Sequence, residues 1–182
     1  MHGVQKSAFS LSGAGGGKSM LVLQRFNEFL VKVGSWGTIL FMAVIAIVIP
    51  YEVIGRYVFQ KMSIWSGEVS TYSLAWASML GGAVGLKKGY MINLTAVVES
   101  VPPAVANVLK FISYLCTLFF FGAMFGYGLF QTLYNANQTS PAMGLVMSYP
   151  YAALPVGFFI MFFLTLEDFL RFLGMRAKGE SP

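Results

Sequence analysis

The chain has 182 residues, of which 57% are hydrophobic and 10% charged, with a net charge of +5. A soluble domain carries about 25% charged residues, so this chain has too few to coat a water-facing surface, and its strongly positive mean hydropathy puts it in lipid. Its basic residues stand at the ends of apolar runs and not in a patch interleaved with aromatics, which excludes a nucleic-acid partner and suits headgroups and topology signals.

Residues 1–19 are rich in Gly and Ser and hold Lys6 and Lys18. No apolar stretch there is long enough for a signal-peptide core, so the expectation is a disordered cytoplasmic tail, with the first span serving as an uncleaved insertion signal. The run Gly13-Ala14-Gly15-Gly16-Gly17-Lys18-Ser19 invites a phosphate-loop reading. That motif needs four residues between its outer glycines, and counting back from Gly17 reaches Ser12. Arg25 to Lys32 mixes Phe26, Phe29 and Leu30 with Arg25, Glu28 and Lys32, which predicts a short amphipathic helix lying in the headgroup region.

Four windows then satisfy the rule that about 20 mostly apolar residues cross a ~30 Å hydrocarbon core. They run over about 33–51, 64–86, 108–134 and 149–170, within a membrane domain of residues 20–172, and 173–182 form a second cytoplasmic tail. Pro150 and Pro155 fall in the first two turns of the fourth window, where proline is best tolerated. Residues 52–63, 87–107 and 135–148 connect the spans, and Ile92 to Val98 suggests a second, weaker interfacial element. Ten of the twelve Lys and Arg residues fall on the side of the two tails and the 87–107 connection, with only Arg56 and Lys61 opposite. The positive-inside rule therefore predicts both termini in the cytoplasm. Trp36 marks the inner boundary, while Tyr51, Tyr57, Trp65, Tyr134, Tyr149 and Tyr151 gather at the outer one.

Metal, haem and nucleophilic chemistry find no footing. The only histidine is His2, and the only cysteine, Cys116, lies within an apolar run. There is accordingly no Cys/His cluster for zinc, no haem ligand in a span and no histidine base for a nucleophile. The chain reads as a non-enzyme without a cofactor. Charges near the membrane are functional candidates, and these are Glu52, Arg56 and Glu68, with Glu167 and Asp168 at the inner end of the last span. Glu52 and Arg56 are four apart and can pair on a helix. Glu68, one turn inside the second span, belongs either to a structural ion pair that fixes the first hairpin or to a proton or coupling-ion site. Small residues recur four apart at Ser78 and Gly82, Gly81 and Gly85, and Gly122 and Gly126, a spacing that lets helix backbones approach in lipid.

Three stretches bring a family into view. Glu52-Val53-Ile54-Gly55-Arg56-Tyr57-Val58-Phe59, followed by Ser63-Ile64-Trp65-Ser66-Gly67-Glu68, is one. Gly81-Gly82-Ala83 with Lys87-Lys88-Gly89 is another. The third, and most specific, is Ser140-Pro141-Ala142-Met143-Gly144 with Pro150-Tyr151-Ala152-Ala153-Leu154-Pro155-Val156-Gly157. Together they resemble the small membrane subunit, the DctQ type, of tripartite ATP-independent periplasmic (TRAP) transporters, over roughly residues 25–172. Gly67 stands where the family often has a second glutamate beside Glu68, and Met91 and Thr95 replace a usual histidine and aspartate after the basic turn.

The resemblance implies an all-α protein of the bacterial inner membrane that serves as a non-catalytic scaffold in a secondary transporter importing organic acids (carboxylates or sulfonates). It implies a large membrane subunit that holds substrate and sodium, a periplasmic binding protein and membrane lipids as partners. It makes Glu52, Arg56, Trp65, Glu68, Gly82, Gly122, Gly126, Pro141, Pro155 and Gly157 candidates for structure and assembly. The rival expectation is a small homodimeric exporter in which Glu68 exchanges protons for a cationic substrate.

Overall fold

A computed structural model of the chain describes residues 18–60, 63–98 and 103–177; of the tails expected at 1–19 and 173–182, residues 1–17 and 178–182 lie outside them, while 18–19 and 173–177 belong to the first and last helices. Four long helices carry the architecture: α1 (Lys18–Tyr57), α2 (Ile64–Val98), α3 (Pro103–Tyr134) and α5 (Ala153–Ala177). A 3-10 turn (Asn135–Asn137) and the one-turn α4 (Ser148–Tyr151) join α3 to α5. Among the described residues the only β pairing is an isolated bridge between Thr139 and Val146.

Two expected interfacial helices do not form as separate elements. Residues 25–32 are the inner part of the 40-residue α1, and residues 92–98 are the last two turns of the 35-residue α2. Neither junction carries a proline or a helix-stopping cap. A break there would strand backbone N–H and C=O groups, so the i→i−4 ladder simply continues. Where the sequence does carry prolines in a first turn, it makes a boundary. Pro103 opens α3, and Pro155, which has no N–H to give the carbonyl of Tyr151, separates α4 from α5 at Ala152. The fourth window is therefore one turn and a long helix that meet at Ala152, whose φ and ψ stay helical.

The helices stand side by side in the order α1, α2, α5, α3. α1 and α3 do not touch, α2 and α3 barely do, and α5 sits between them. Leu80 and Ala83 of α2 meet Ile160 and Leu164 of α5, with Leu30, Val31 and Phe41 of α1 closing over them. On the far side of α5 the contact with α3 is aromatic. Tyr114 packs on Phe169 and Phe172, and Phe121 on Phe158.

Such an open arrangement leaves broad apolar faces. Phe119, Tyr127, Phe130 and Leu133 of α3 and Ile39, Leu40 and Ile47 of α1 are all exposed, which water would penalise and lipid does not. Several hydroxyls on the spans are satisfied locally: Ser35, Thr38, Thr71 and Thr132 each donate to the carbonyl four residues back; the Ser70 Oγ and Thr165 Oγ1 atoms are buried without a partner. Three helical stretches, Val22–Tyr57, Val105–Asn137 and Ser148–Gly174, are long and apolar enough to cross a membrane. α2 is the more polar one, because Ser66, Ser70, Thr71, Tyr72 and Ser73 crowd its first three turns. Four windows were expected, and three of the four long helices meet the measure.

Candidate functional site

The polar chemistry concentrates at two places, one at each end of the bundle. At the first, Glu68 projects from the second turn of α2 toward the connection between α3 and α4. The Ser140 hydroxyl donates to Glu68 Oε2, and the backbone N–H groups of Ala142 and Met143 donate to its two oxygens at 3.0 and 3.2 Å. Local sequence explains why those N–H groups are available. Pro141 has no donor and a preset φ, and the left-handed Gly144 (φ 64°) turns the chain back so that its N–H reaches the Ser140 carbonyl at 3.0 Å. Ser140 and Met147 N–H groups then bond Leu145 and Gln138 carbonyls, each at 2.8 Å.

Further along α2, Tyr72 OH donates to Met147 Sδ at 3.5 Å and Trp76 Nε1 to the Tyr149 carbonyl at 3.2 Å. Ser148 Oγ ties the same segment to the Thr132 carbonyl of α3 at 2.8 Å. One face of α2 thus holds the whole connection in place.

At the other end, Glu167 of α5 is 1% exposed and is the most buried charge among the described residues. Its Oε2 accepts from Lys87 Nζ of α2 at 3.0 Å and from Asn27 Nδ2 of α1 at 2.7 Å, and its Oε1 from Arg171 Nη2 at 2.5 Å. Asp168 Oδ1 lies 4.0 Å from the same ammonium. Asn27 is fully buried and also donates to the Phe163 carbonyl at 3.0 Å, while Phe26 packs edge-on against Phe163. Two carboxylates and two cations make the cluster neutral, which is what lets a charge sit so deep. Three helices converge on one side chain.

The sequence-derived candidates divide accordingly. Glu68 and Pro141 meet at the α2 clamp. Glu52 and Arg56 form no ion pair with each other, and Arg56 is exposed; Glu68 turns to the 140–143 segment instead of to Arg56. The expected Glu52–Arg56–Glu68 group is therefore not assembled, because three donors on the opposite connection outcompete a long exposed arginine. Trp65 packs on Tyr51 with ring centroids 5.9 Å apart, joining α1 to α2.

Among the glycines, Gly157 is a true close approach, since a Cβ there would lie 2.7 Å from Met79 Cβ; at Gly82 it would lie 3.0 Å from Met161 Cε. Gly122 and Gly126 are not: a Cβ at Gly122 would meet only Phe162 at 3.7 Å, and at Gly126 nothing within 4 Å. The close backbone approach of α3 to α5 falls instead at Gly128, where a Cβ would stand 3.0 Å from the Pro155 nitrogen. The sequence reading missed Gly128, and it missed Asn27 and Lys87 as partners of Glu167. Asn27 could have been found, being the polar member of the otherwise small and apolar row Asn27, Leu30, Val31 and Gly34.

A family model described as the DctQ component of tripartite ATP-independent periplasmic transporters matches residues 45–174. A putative TRAP transporter small permease protein of Haemophilus influenzae is 22% identical over 139 residues, 76% of this chain and 86% of that protein. The sialic acid TRAP transporter small permease protein SiaQ of Vibrio cholerae is 25% identical over 130 residues, 71% of this chain and 75% of that one. The isethionate TRAP transporter permease protein DctMQ of Oleidesulfovibrio alaskensis is 27% identical over 122 residues, 65% of this chain. Of that last protein the matching region makes up only 19% of the length. With most of the chain matched, and with apolar helices long enough to cross a bilayer, the chain belongs to the DctQ family of TRAP transporters, a multi-pass component of the bacterial inner membrane and not an enzyme.

Proposed function

We propose that this chain is the small, non-transporting subunit of a TRAP importer, bracing a large membrane subunit that carries the substrate and driving-ion sites. The observation that carries the reading is the engagement of its strongest polar groups in structural contacts. Glu68 accepts three hydrogen bonds from its own chain, and Glu167 is neutralised by Lys87 and Arg171. Coordination of a carboxylate or a sodium ion needs free donors or oxygens at membrane depth, and these side chains are already spoken for. The same fact weighs against a proton-exchanging exporter built on Glu68.

Four spans with both termini inside complete the proposal. Charge-free stretches separate Lys32 from Glu52 on α1 and Glu68 from Lys87 on α2, each roughly 28–30 Å long at 1.5 Å per residue, close to the ~30 Å hydrocarbon core. α2 then crosses despite its hydroxyls, of which Ser66, Thr71 and Tyr72 bond within the helix or to neighbouring segments. The excess of Lys and Arg beside Lys32, Lys87 and Arg171 supports the inward direction for that end. The named substrates of two relatives, isethionate and sialic acid, are both organic acids, which supports the same class here, imported with a periplasmic binding protein and a sodium gradient.

The test is purification of a tagged full chain in mild detergent. A much larger membrane protein should accompany it, and uptake in reconstituted vesicles should require that partner. Transport by the small chain alone would end the scaffold reading.

A further inference from the structure

The inner end of α1 carries an apolar face that no described part of the chain covers. Val22 and Phe29 are 67% and 63% exposed, and Val33 and Trp36 continue the same exposed stripe at helical spacing, while Phe26 at its border leans on Phe163 of α5. α1 has 40 residues, about 60 Å at 1.5 Å per residue, twice the ~30 Å hydrocarbon core. Lys32 is the first charge met on leaving the charge-free stretch, and the helix carries the stripe roughly 15 Å beyond it to Val22. A headgroup layer is only about 5–8 Å deep, so apolar side chains that far out need cover, either by leaning into the interface or by an occupant.

Charge says which occupant fits. Arg25 and Lys32 are seven residues apart, so they lie nearly in line along one edge of the stripe, about 10 Å from each other. Both are exposed, and neither they nor the adjoining Glu28 form an ion pair among the described residues. Two unneutralised cations bordering a hydrophobic strip, with the indole of Trp36 at the inner boundary, match an anionic phosphate above acyl chains.

We propose that this edge of α1 seats an acidic phospholipid, with Arg25 and Lys32 on its headgroup and Val33 and Trp36 against its chains. The seat uses a face that α2 and α5 leave open.

The experiment uses the full chain purified with whatever membrane partner accompanies it. Phosphatidylglycerol and phosphatidylcholine adducts are counted by native mass spectrometry during titration. Phosphatidylglycerol should bind the native chain preferentially, and Arg25→Gln with Lys32→Gln should weaken it about thirtyfold. Arg56→Gln, at the other end of the helix, should leave it unchanged, and inorganic phosphate should not compete at equal concentration. The double variant must keep the elution volume of the native complex; if it does not, Arg25→Lys with Lys32→Arg, which keeps both charges, is required to retain native phosphatidylglycerol affinity, and its failure to do so overturns the proposal. Equal binding of the two lipids, an equal loss from Arg56→Gln, or displacement by inorganic phosphate would do the same. A photoreactive residue at position 33 should capture lipid, and capture of a protein chain there instead would refute the assignment.

Discussion

Replacing Glu167 by Gln is the sharpest test of how the inner end is held. Gln keeps the volume and one acceptor, so Asn27 can still donate, but both ion pairs lose their negative partner. Removing one member of a buried pair costs about 3–5 kcal/mol when the survivor cannot reach water. Here the side chains of Lys87 and Arg171 are 29% and 36% exposed, so both can rehydrate, and Asp168 Oδ1, 4.0 Å away, can take over the lysine. The expected loss is therefore near 2 kcal/mol, within the range for a partly exposed charge-assisted contact.

Adding Asp168→Asn should deepen that loss by about 1 kcal/mol, because the fallback for Lys87 disappears. Equilibrium unfolding of the detergent-purified chain measures both variants, and a cycle with Lys87→Met isolates the Lys87–Glu167 coupling, expected above ~1 kcal/mol. A Glu167→Gln loss below ~0.5 kcal/mol with no measurable coupling would show that Glu167 does not bind the three helices together.

Two further substitutions probe other contacts. Glu68→Gln places an amide NH2 where one carboxylate oxygen accepts, so hydrogen exchange at Ala142 and Met143 should quicken about tenfold while substrate preference stays unchanged; native exchange rates would mean that the clamp does not hold the connection. Gly157→Ala should cost about 1–3 kcal/mol by overpacking against the rigid Met79 Cβ, whereas Gly126→Ala should leave the isolated chain within ~0.5 kcal/mol. Unfolding measurements that gave the two variants equal losses would contradict the glycine geometry.

How far these contacts could be read in advance varies with the distance over which they act. Glu68 was identified as important because a charge one turn inside a span is costly wherever it points. Its partners are not legible in the sequence, because Ser140 is 72 residues away. The Gly122 and Gly126 pair has the right spacing for close packing, but spacing says nothing about azimuth, and α3 turns Gly128 and not Gly126 toward α5. Residues 25–32 were expected to form a short amphipathic helix of their own. Their buried side, however, faces α5 through Phe26 and Asn27, and the helix runs on without a break.

The residue order alone determined that this chain lives in lipid, that it is helical, and where most of its apolar segments lie, because hydropathy and helical hydrogen bonding are local properties. Folding in three dimensions decided the lateral order α1, α2, α5, α3, the meeting of Asn27, Lys87 and Glu167, and the closure of the 140–147 connection onto α2. Those depend on side-chain direction around long helices and on partners far apart in the chain, which periodicity cannot encode.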